Sequence, residues 1–393
     1  MRFLHPDGTI GHTAYCTNVH PAEDFDGVIR QLARFAGPIR DRLEADRLGL
    51  GLWLARDMAT ALVSQPQALS RLRAELAARG LEVVTLNGSP YERFGGPEVK
   101  HRLYAPDWSR PARAWYTADL ARILTGLMPD DVQRGSISTL PLGWGRPWCA
   151  DRDGTARRQI GRLGAALKTL AKETGRSVRV GFEPAPGCAV ETTEDALTHL
   201  TGLDPDRFGI CLDTCHLAVA HEDPAAALAR LGAAGLPLVK VQASVALESA
   251  DPQDPADRKA LQAFVEPRFL HQTREAGRKG LLGADDLDQA LGLAAGRPLP
   301  GKAPWRVHFH LPLHASVAPP LRGTHQVLRT TLAKLFGGPR AGADHLEVGT
   351  YTWTVPPPRG RPVDGNDLIA GVAAEMNWVR AELTALGLKE LGV

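Results

Sequence analysis

Two short runs hold the residues best suited to chemistry. Ile210-Cys211-Leu212-Asp213-Thr214-Cys215-His216 and the earlier Val180-Gly181-Phe182-Glu183-Pro184 are apolar until each stops on an acid. A third such run, His345-Leu346-Glu347-Val348-Gly349, comes near the end of the chain. A carboxylate in that position does not suit a core. It suits the C-terminal lip of a parallel strand, where α/β barrels build their active sites. Three carboxylates and one histidine at successive strand ends are a donor set for a divalent cation.

The neighbours of these residues refine the expectation. Glu183 precedes Pro-Ala-Pro-Gly, a turn that excludes helix and re-aims the chain toward a barrel mouth. A structural pairing with Arg179 is the competing role. Asp213 and His216 form Asp-x-x-His, which puts the imidazole one step beyond the acid, so the two can share a metal or a substrate hydroxyl. Gln242 ends Val-Lys-Val-Gln and offers an amide oxygen, a poorer ligand than imidazole or carboxylate, or a lip hydrogen bond. His308 and His310 alternate with apolar residues, so both should face one side of a strand, as site residues or as satisfied core histidines. His314 follows close behind. His20, Trp53, Asn87, Tyr91 and Trp144 stand at or near other strand ends. Such an aromatic and amide wall suits a sugar or cyclitol ring, or else ordinary packing at the mouth.

The elements that must position these groups alternate strand and helix. Strands are expected at Thr13–Val19, Gly49–Leu54, Leu81–Asn87, Gly135–Pro141, Val178–Glu183, Phe208–Asp213, Leu238–Gln242, Arg306–Leu311 and His345–Thr350. Amphipathic helical stretches fall between them, including Phe25–Leu43, Arg157–Thr174, Thr193–Leu200 and a C-terminal helix over Leu368–Leu386. Thr192 or Thr193 caps one helix, and Gly80, Gly175 and Gly235 end others. Strict alternation predicts a parallel sheet closed as a (β/α)8 barrel. An open doubly wound sheet is disfavoured, because no Gly-x-Gly-x-x-Gly opens the chain and the ligand candidates are spread too widely for one crevice. Nine strands compete for eight places, with Leu238–Gln242 kept inside the barrel and Arg306–Leu311 the less certain member. The chain reads as a single domain over 1–393, with a polar insertion (Ala246–Pro304) over the mouth. The proline-rich stretch Pro356 to Pro362 reads as a stiff connector.

Bulk properties narrow the class. The 393 residues are 44% hydrophobic and 23% charged, with a formal net charge of +2, ordinary for a globular protein and too weak for a polyanionic partner. No run reaches the length of a membrane span, and the N-terminus lacks the apolar core of a signal peptide. Five cysteines without paired spacing suit reduced thiols. A cytoplasmic protein is expected, binding a small polyol or sugar and neither nucleic acid nor membrane, with self-association left open.

Glu183 and Glu191 in Gly-Phe-Glu-Pro-Ala-Pro-Gly-Cys-Ala-Val-Glu-Thr, then Cys-Leu-Asp-Thr-Cys-His, Lys-Val-Gln-Ala-Ser and Leu-Glu-Val, resemble the xylose isomerase-like TIM-barrel superfamily of sugar isomerases, epimerases and AP endonucleases. Glu266–Gln272, His308–Pro312 and Leu346–Trp353 are most similar to its EboE-type branch, associated with bacterial metabolite traffic. The resemblance implies a divalent metal (Mn, Zn or Mg) on Glu183, Asp213, Gln242 and Glu347. It places His216 and Glu191 at the substrate and makes Glu183 and Glu347 the proton carriers. Gln242 departs from the epimerase pattern, which has histidine there, and His310 is a candidate to supply the missing nitrogen or to touch substrate. The arginine that follows in that pattern is absent too. The expected activity is therefore metal-assisted isomerisation or epimerisation of a polyhydroxylated metabolite, by proton transfer or hydride shift. The alternatives are a non-catalytic metabolite carrier and, third, an AP endonuclease, which would need histidines on the early strands and a basic face.

Overall fold

A computed structural model describes residues 1–92, 94–145, 148–278, 280–355 and 364–392; the stretch from Pro356 to Pro362 lies outside them. In chain order the strands are β1 (Arg2–Leu4), β2 (Ile10–Cys16), β3 (Leu48–Trp53), β4 (Leu81–Asn87), β5 (Arg134–Thr139), β6 (Ser177–Phe182), β7 (Phe208–Asp213), β8 (Leu238–Ala243), β9 (Leu247–Ser249), β10 (Thr273–Gly277), β11 (Gly280–Ala284), β12 (Trp305–Val307), β13 (Arg322–Gly323), β14 (His345–Val348) and β15 (Lys389–Leu391).

Strands β2 to β8 lie side by side in order, each parallel to the next. Strand β14 then pairs in parallel with both β8 and β2, closing an eight-stranded barrel. Every residue of β3, β4 and β7 is buried. That is expected of strands packed on side chains within and helices without, and it explains their near-continuous apolar sequence. Antiparallel β1 and β15 extend this sheet beyond β2.

Helices cover the outside. In Pro111–Leu127 the side chains of Leu120, Ile123, Leu124 and Leu127 are buried against the sheet, each contributing roughly 1.5–3 kcal/mol of apolar burial. Thr192 caps Thr193–Leu200 with a reciprocal bond to Asp195, and Gly175 ends Ala150–Thr174 at φ +68°, a conformation other residues adopt only with strain. Among the described residues no helix is long and apolar enough to cross a membrane, and no disulfide joins the five cysteines.

The ninth strand candidate lies outside the barrel. Only Trp305–Val307 is strand, and it pairs antiparallel with β9 and β10 in a separate five-stranded sheet ordered β11-β10-β12-β9-β13. That sheet runs from Leu247 to Gly323, beyond the expected limit at Pro304. The expectation that His308 and His310 sit on a strand fails because the ladder stops at Val307: the Phe309 amide turns back onto the Val307 carbonyl, and the Leu311 amide reaches Val245 instead. One contiguous apolar cluster joins barrel and insertion, holding Val180 and Leu212 together with Leu261, Phe264 and Phe309.

Candidate functional site

A cavity of about 110 Å³ lies at the C-terminal ends of the barrel strands, beneath the insertion. Its polar side is made by Asn87, Glu183, Asp213, His216, Gln242, His308 and His310. Its apolar side comes from Phe94, Val99, Leu103 and Tyr104 after β4, Phe269 and Leu270 of the insertion, and Tyr351 after β14.

Asp213 ends β7 and caps the helix Thr214–Val219. Its Oδ1 accepts from the amides of Cys215 (2.7 Å) and His216 (3.0 Å) and from Ser244 Oγ (2.6 Å). Burial alone would raise its pKa, but the His216 and His310 imidazoles and these hydrogen bonds hold it low. With Oδ1 saturated, Oδ2 faces His310 Nε2 at 3.7 Å.

His310 Nδ1 lies 2.8 Å from the Gly349 carbonyl. A carbonyl can only accept, so Nδ1 carries the hydrogen. Burial lowers the pKa of the ring, favouring the neutral form. In the neutral ring Nε2 is a bare lone pair, and it is buried and without a hydrogen-bond partner. Gln242 Oε1 is a second buried acceptor without one. Two acceptors facing each other at 3.7 Å repel unless something positive sits between them. An imidazole whose other nitrogen donates to a carbonyl is also the usual arrangement of a metal-ligating histidine. The donor set thus fits a divalent cation.

Among the described residues, two trios of ligand-type side chains bring their candidate atoms within 4.8 Å of one another: Asp213, His216 and His310, and Cys215, His308 and His310. His216 Nδ1 donates to the Pro184 carbonyl (2.9 Å), and its Nε2 meets His308 Nε2 at 3.1 Å. Glu183 follows β6, lines the cavity and places Oε1 3.9 Å from His216 Nδ1. Burial, then the Asp213 charge, push its pKa up to about 8. Arg179, its alternative partner, pairs with Asp344 instead at 3.1 Å.

Below this rim lies a different arrangement. Glu347 points into the barrel, where a Cβ on Gly51 would fall 1.5 Å from its Oε2, so only glycine leaves room for the carboxylate. Its Oε2 is 3.0 Å from Lys240 Nζ, both side chains being 0% exposed, and its Oε1 accepts from Asn87 Nδ2 at 2.8 Å. Asn87 Oδ1 in turn accepts from Lys240 Nζ (2.9 Å), Ser138 Oγ (3.0 Å) and Gln242 Nε2 (3.4 Å). Burial works against the Lys240 ammonium, but the adjacent carboxylate more than offsets it and raises the lysine pKa.

Other expected residues lie elsewhere. Glu191 is held in a buried two-pronged pair with Arg274 of the insertion and accepts from the Gly187 amide, away from the cavity lining. Trp53 is buried and donates to the Pro90 carbonyl. His20 stacks on Phe35, Tyr91 packs on Tyr116, Trp144 on Tyr104, and His314 on Trp353. Of the anticipated aromatic and amide wall, only Asn87 reaches the cavity. Lys240 was missed as a site residue, although in Val-Lys-Val-Gln it shares the parity, and so the face, of Gln242. Tyr104 ends the short 3-10 helix Lys100–Tyr104 and Phe269 sits in a loop, and neither stretch carries a period to read.

The D-allulose 3-epimerase of a Methylomonas species superposes with a TM-score of 0.50 at 12% identity, over 98% of this chain and 100% of that one. A xylose isomerase-like TIM barrel protein from Mycobacterium smegmatis, solved with magnesium, gives 0.48 at 13% over 96% and 98%. The probable 3-DHS dehydratase AsbF of Bacillus anthracis gives 0.46 at 12% over 94% and 98%. No curated protein matches the sequence. Residues 50–259, more than half the chain, match the family described as xylose isomerase-like TIM barrel, and with the closed barrel and its acid-tipped strands the chain belongs to that family.

Proposed function

We propose that the protein is a divalent-cation-assisted isomerase or epimerase acting on a sugar, cyclitol or related polyhydroxylated metabolite. The observation that carries the reading is the facing pair Asp213 Oδ2 and His310 Nε2, 3.7 Å apart at the rim, beside two buried acceptors without hydrogen-bond partners, His310 Nε2 and Gln242 Oε1. Glu183, Asp213, Gln242 and His310 would hold the cation (Mn, Zn or Mg). When bound, such a cation polarises a carbonyl and neighbouring hydroxyl and so acidifies the C–H beside them. Glu183 then exchanges the substrate proton, since its carboxylate lines the cavity beside His216 and Asp213. Phe94, Phe269 and Tyr351 cover the reacting centre and keep bulk water out. The resemblance makes Glu347 a second proton carrier, yet it is absent from the cavity lining and tied to Lys240 and Asn87 beneath it.

Within the family we place the chain in the EboE-type, metabolite-traffic branch and in the cytoplasm. The three segments that carry the narrower resemblance all send residues to one cavity: Phe269 and Leu270, His308 and His310, and Gly349 with Tyr351. The endonuclease reading is not retained, since β3 and β4 end on Trp53 and Asn87 rather than on imidazoles. The test is turnover of a panel of ketoses and inososes with and without Mn²⁺. Cation-dependent product is the expected result. Binding without turnover would leave the carrier reading, and neither binding nor turnover would overturn both.

A further inference from the structure

The proposed cation site raises a question about charge. Three carboxylates, Glu183, Asp213 and Glu347, converge from three strands, and all would be available if no other cation were present. Lys240 changes this. It rises from the same face of β8 as Gln242 and engages Glu347 Oε2 (3.0 Å) and Asn87 Oδ1 (2.9 Å). The amide of Asn87 is thereby fixed, with Oδ1 toward its donors and Nδ2 toward Glu347 Oε1 and the Gly51 carbonyl (3.1 Å). With Oδ1 accepting, the Gln242 amide must turn its NH2 downward (3.4 Å) and leave its oxygen uppermost. The same lysine therefore pairs with one carboxylate and, through Asn87, orients the Gln242 oxygen. Meanwhile His310, delivered by the insertion rather than by a barrel strand, presents an unpartnered Nε2 at the rim.

We infer that Lys240 is a built-in counter-cation that withdraws Glu347 from coordination, and that the protein ligands of the cation are Glu183, Asp213, Gln242 Oε1 and His310 Nε2. The inference rests on the reading of this site as one for a divalent cation. Lys240 and Asn87 are positioning residues in it, since neither touches the cation.

The test is Mn²⁺ titration of the full chain, followed by calorimetry and by the electron paramagnetic resonance of free Mn²⁺, with Co²⁺ absorption as a second probe. His310→Ala should weaken Mn²⁺ binding by about tenfold or more and shift the visible Co²⁺ bands, because an imidazole nitrogen leaves the shell. Glu347→Gln should leave both nearly unchanged. That variant strands a buried ammonium, so the charge-neutral pair Lys240→Met with Glu347→Gln provides the same measurement in a chain without the unpaired charge. If loss of Glu347 in either background abolishes binding while His310→Ala keeps it, the assignment is overturned and the cation reading survives. If the unmodified protein takes up no divalent cation, the reading fails and takes the assignment with it.

Discussion

The rim of the cavity and the barrel floor beneath it are both buried and both polar, yet they are built on opposite principles. On the floor the charges are matched, Lys240 standing 3.0 Å from Glu347 Oε2 with Asn87 taking and giving hydrogen bonds between them, so that Glu347 Oε2, which accepts no hydrogen bond, still faces a cation. At the rim, acceptors outnumber donors: Asp213 Oδ2 faces His310 Nε2, and Gln242 Oε1 stands alone. A folded chain tolerates a buried pair when its geometry is complete, and an excess of acceptors is costly unless something else arrives to meet it. The floor is thus a structural solution, whereas the rim keeps acceptors that the proposed cation would meet.

The comparison can be broken most sharply at Glu183. Glu183→Gln should lower turnover by about 10²–10⁴-fold in steady-state kinetics while circular dichroism and melting stay as they were. A variant that kept most of its activity would remove Glu183 from the chemistry. On the floor the reverse pattern is expected. Lys240→Met leaves the Glu347 carboxylate buried without a counter-ion and should cost roughly 3–5 kcal/mol in urea unfolding. The double change with Glu347→Gln should recover most of that loss. A single variant as stable as the parent would mean the pair contributes nothing.

Glu375 sharpens the contrast, for it is a buried carboxylate without a cation. Among the described residues it accepts from the Leu313 amide (3.0 Å), Trp353 Nε1 (2.9 Å) and Thr350 Oγ1 (2.5 Å). Burial pushes its pKa up to about 7. The folded chain therefore holds this proton to about pH 7, whereas an unfolded chain releases it near 4.5. Stability from this group is whole below the lower value and falls as pH rises to the upper one, by on the order of 3 kcal/mol. Glu375→Gln should flatten that slope in unfolding measured from pH 4 to 8; an unchanged slope would assign it to other groups. The smallest effect is expected away from all three carboxylates. Thr192→Ala removes a helix cap and should cost about 1 kcal/mol in the same assay, with kinetics untouched.

The barrel was legible because its strands are long and apolar on both faces. Leu81–Asn87 and Phe208–Asp213 are bounded as the sequence reading had them, and Asp213 stands where the pattern breaks. The insertion was not legible, since its strands are two to five residues long and pair with segments far away in sequence. The halt of β12 at Val307 is set by the Phe309 amide turning back onto the Val307 carbonyl and the Leu311 amide reaching Val245, which no local period announces. Glu191 looked like a substrate ligand because Arg274, which occupies it, comes 83 residues later. Lys240 was hidden among valines, where only its parity with Gln242 marked it.

The way the insertion is attached has a consequence of its own. The excursion leaves after β8 at Ala246 and returns at Thr324, ahead of the helix His325–Phe336 that leads to β14, and these two points are neighbours, the Thr324 amide donating to the Ala246 carbonyl (3.0 Å). The two attachment points are thus about one strand spacing apart, ~4.8 Å, and the ladder that closes the ring does not pass through the excursion. Such a site accepts grafts well. The excursion carries both His310 and the Phe269 side of the enclosing wall. Exchanging it for another would replace a ligand and a boundary of the binding chamber in one event, so affinity for the ion and taste in substrate would be inherited together.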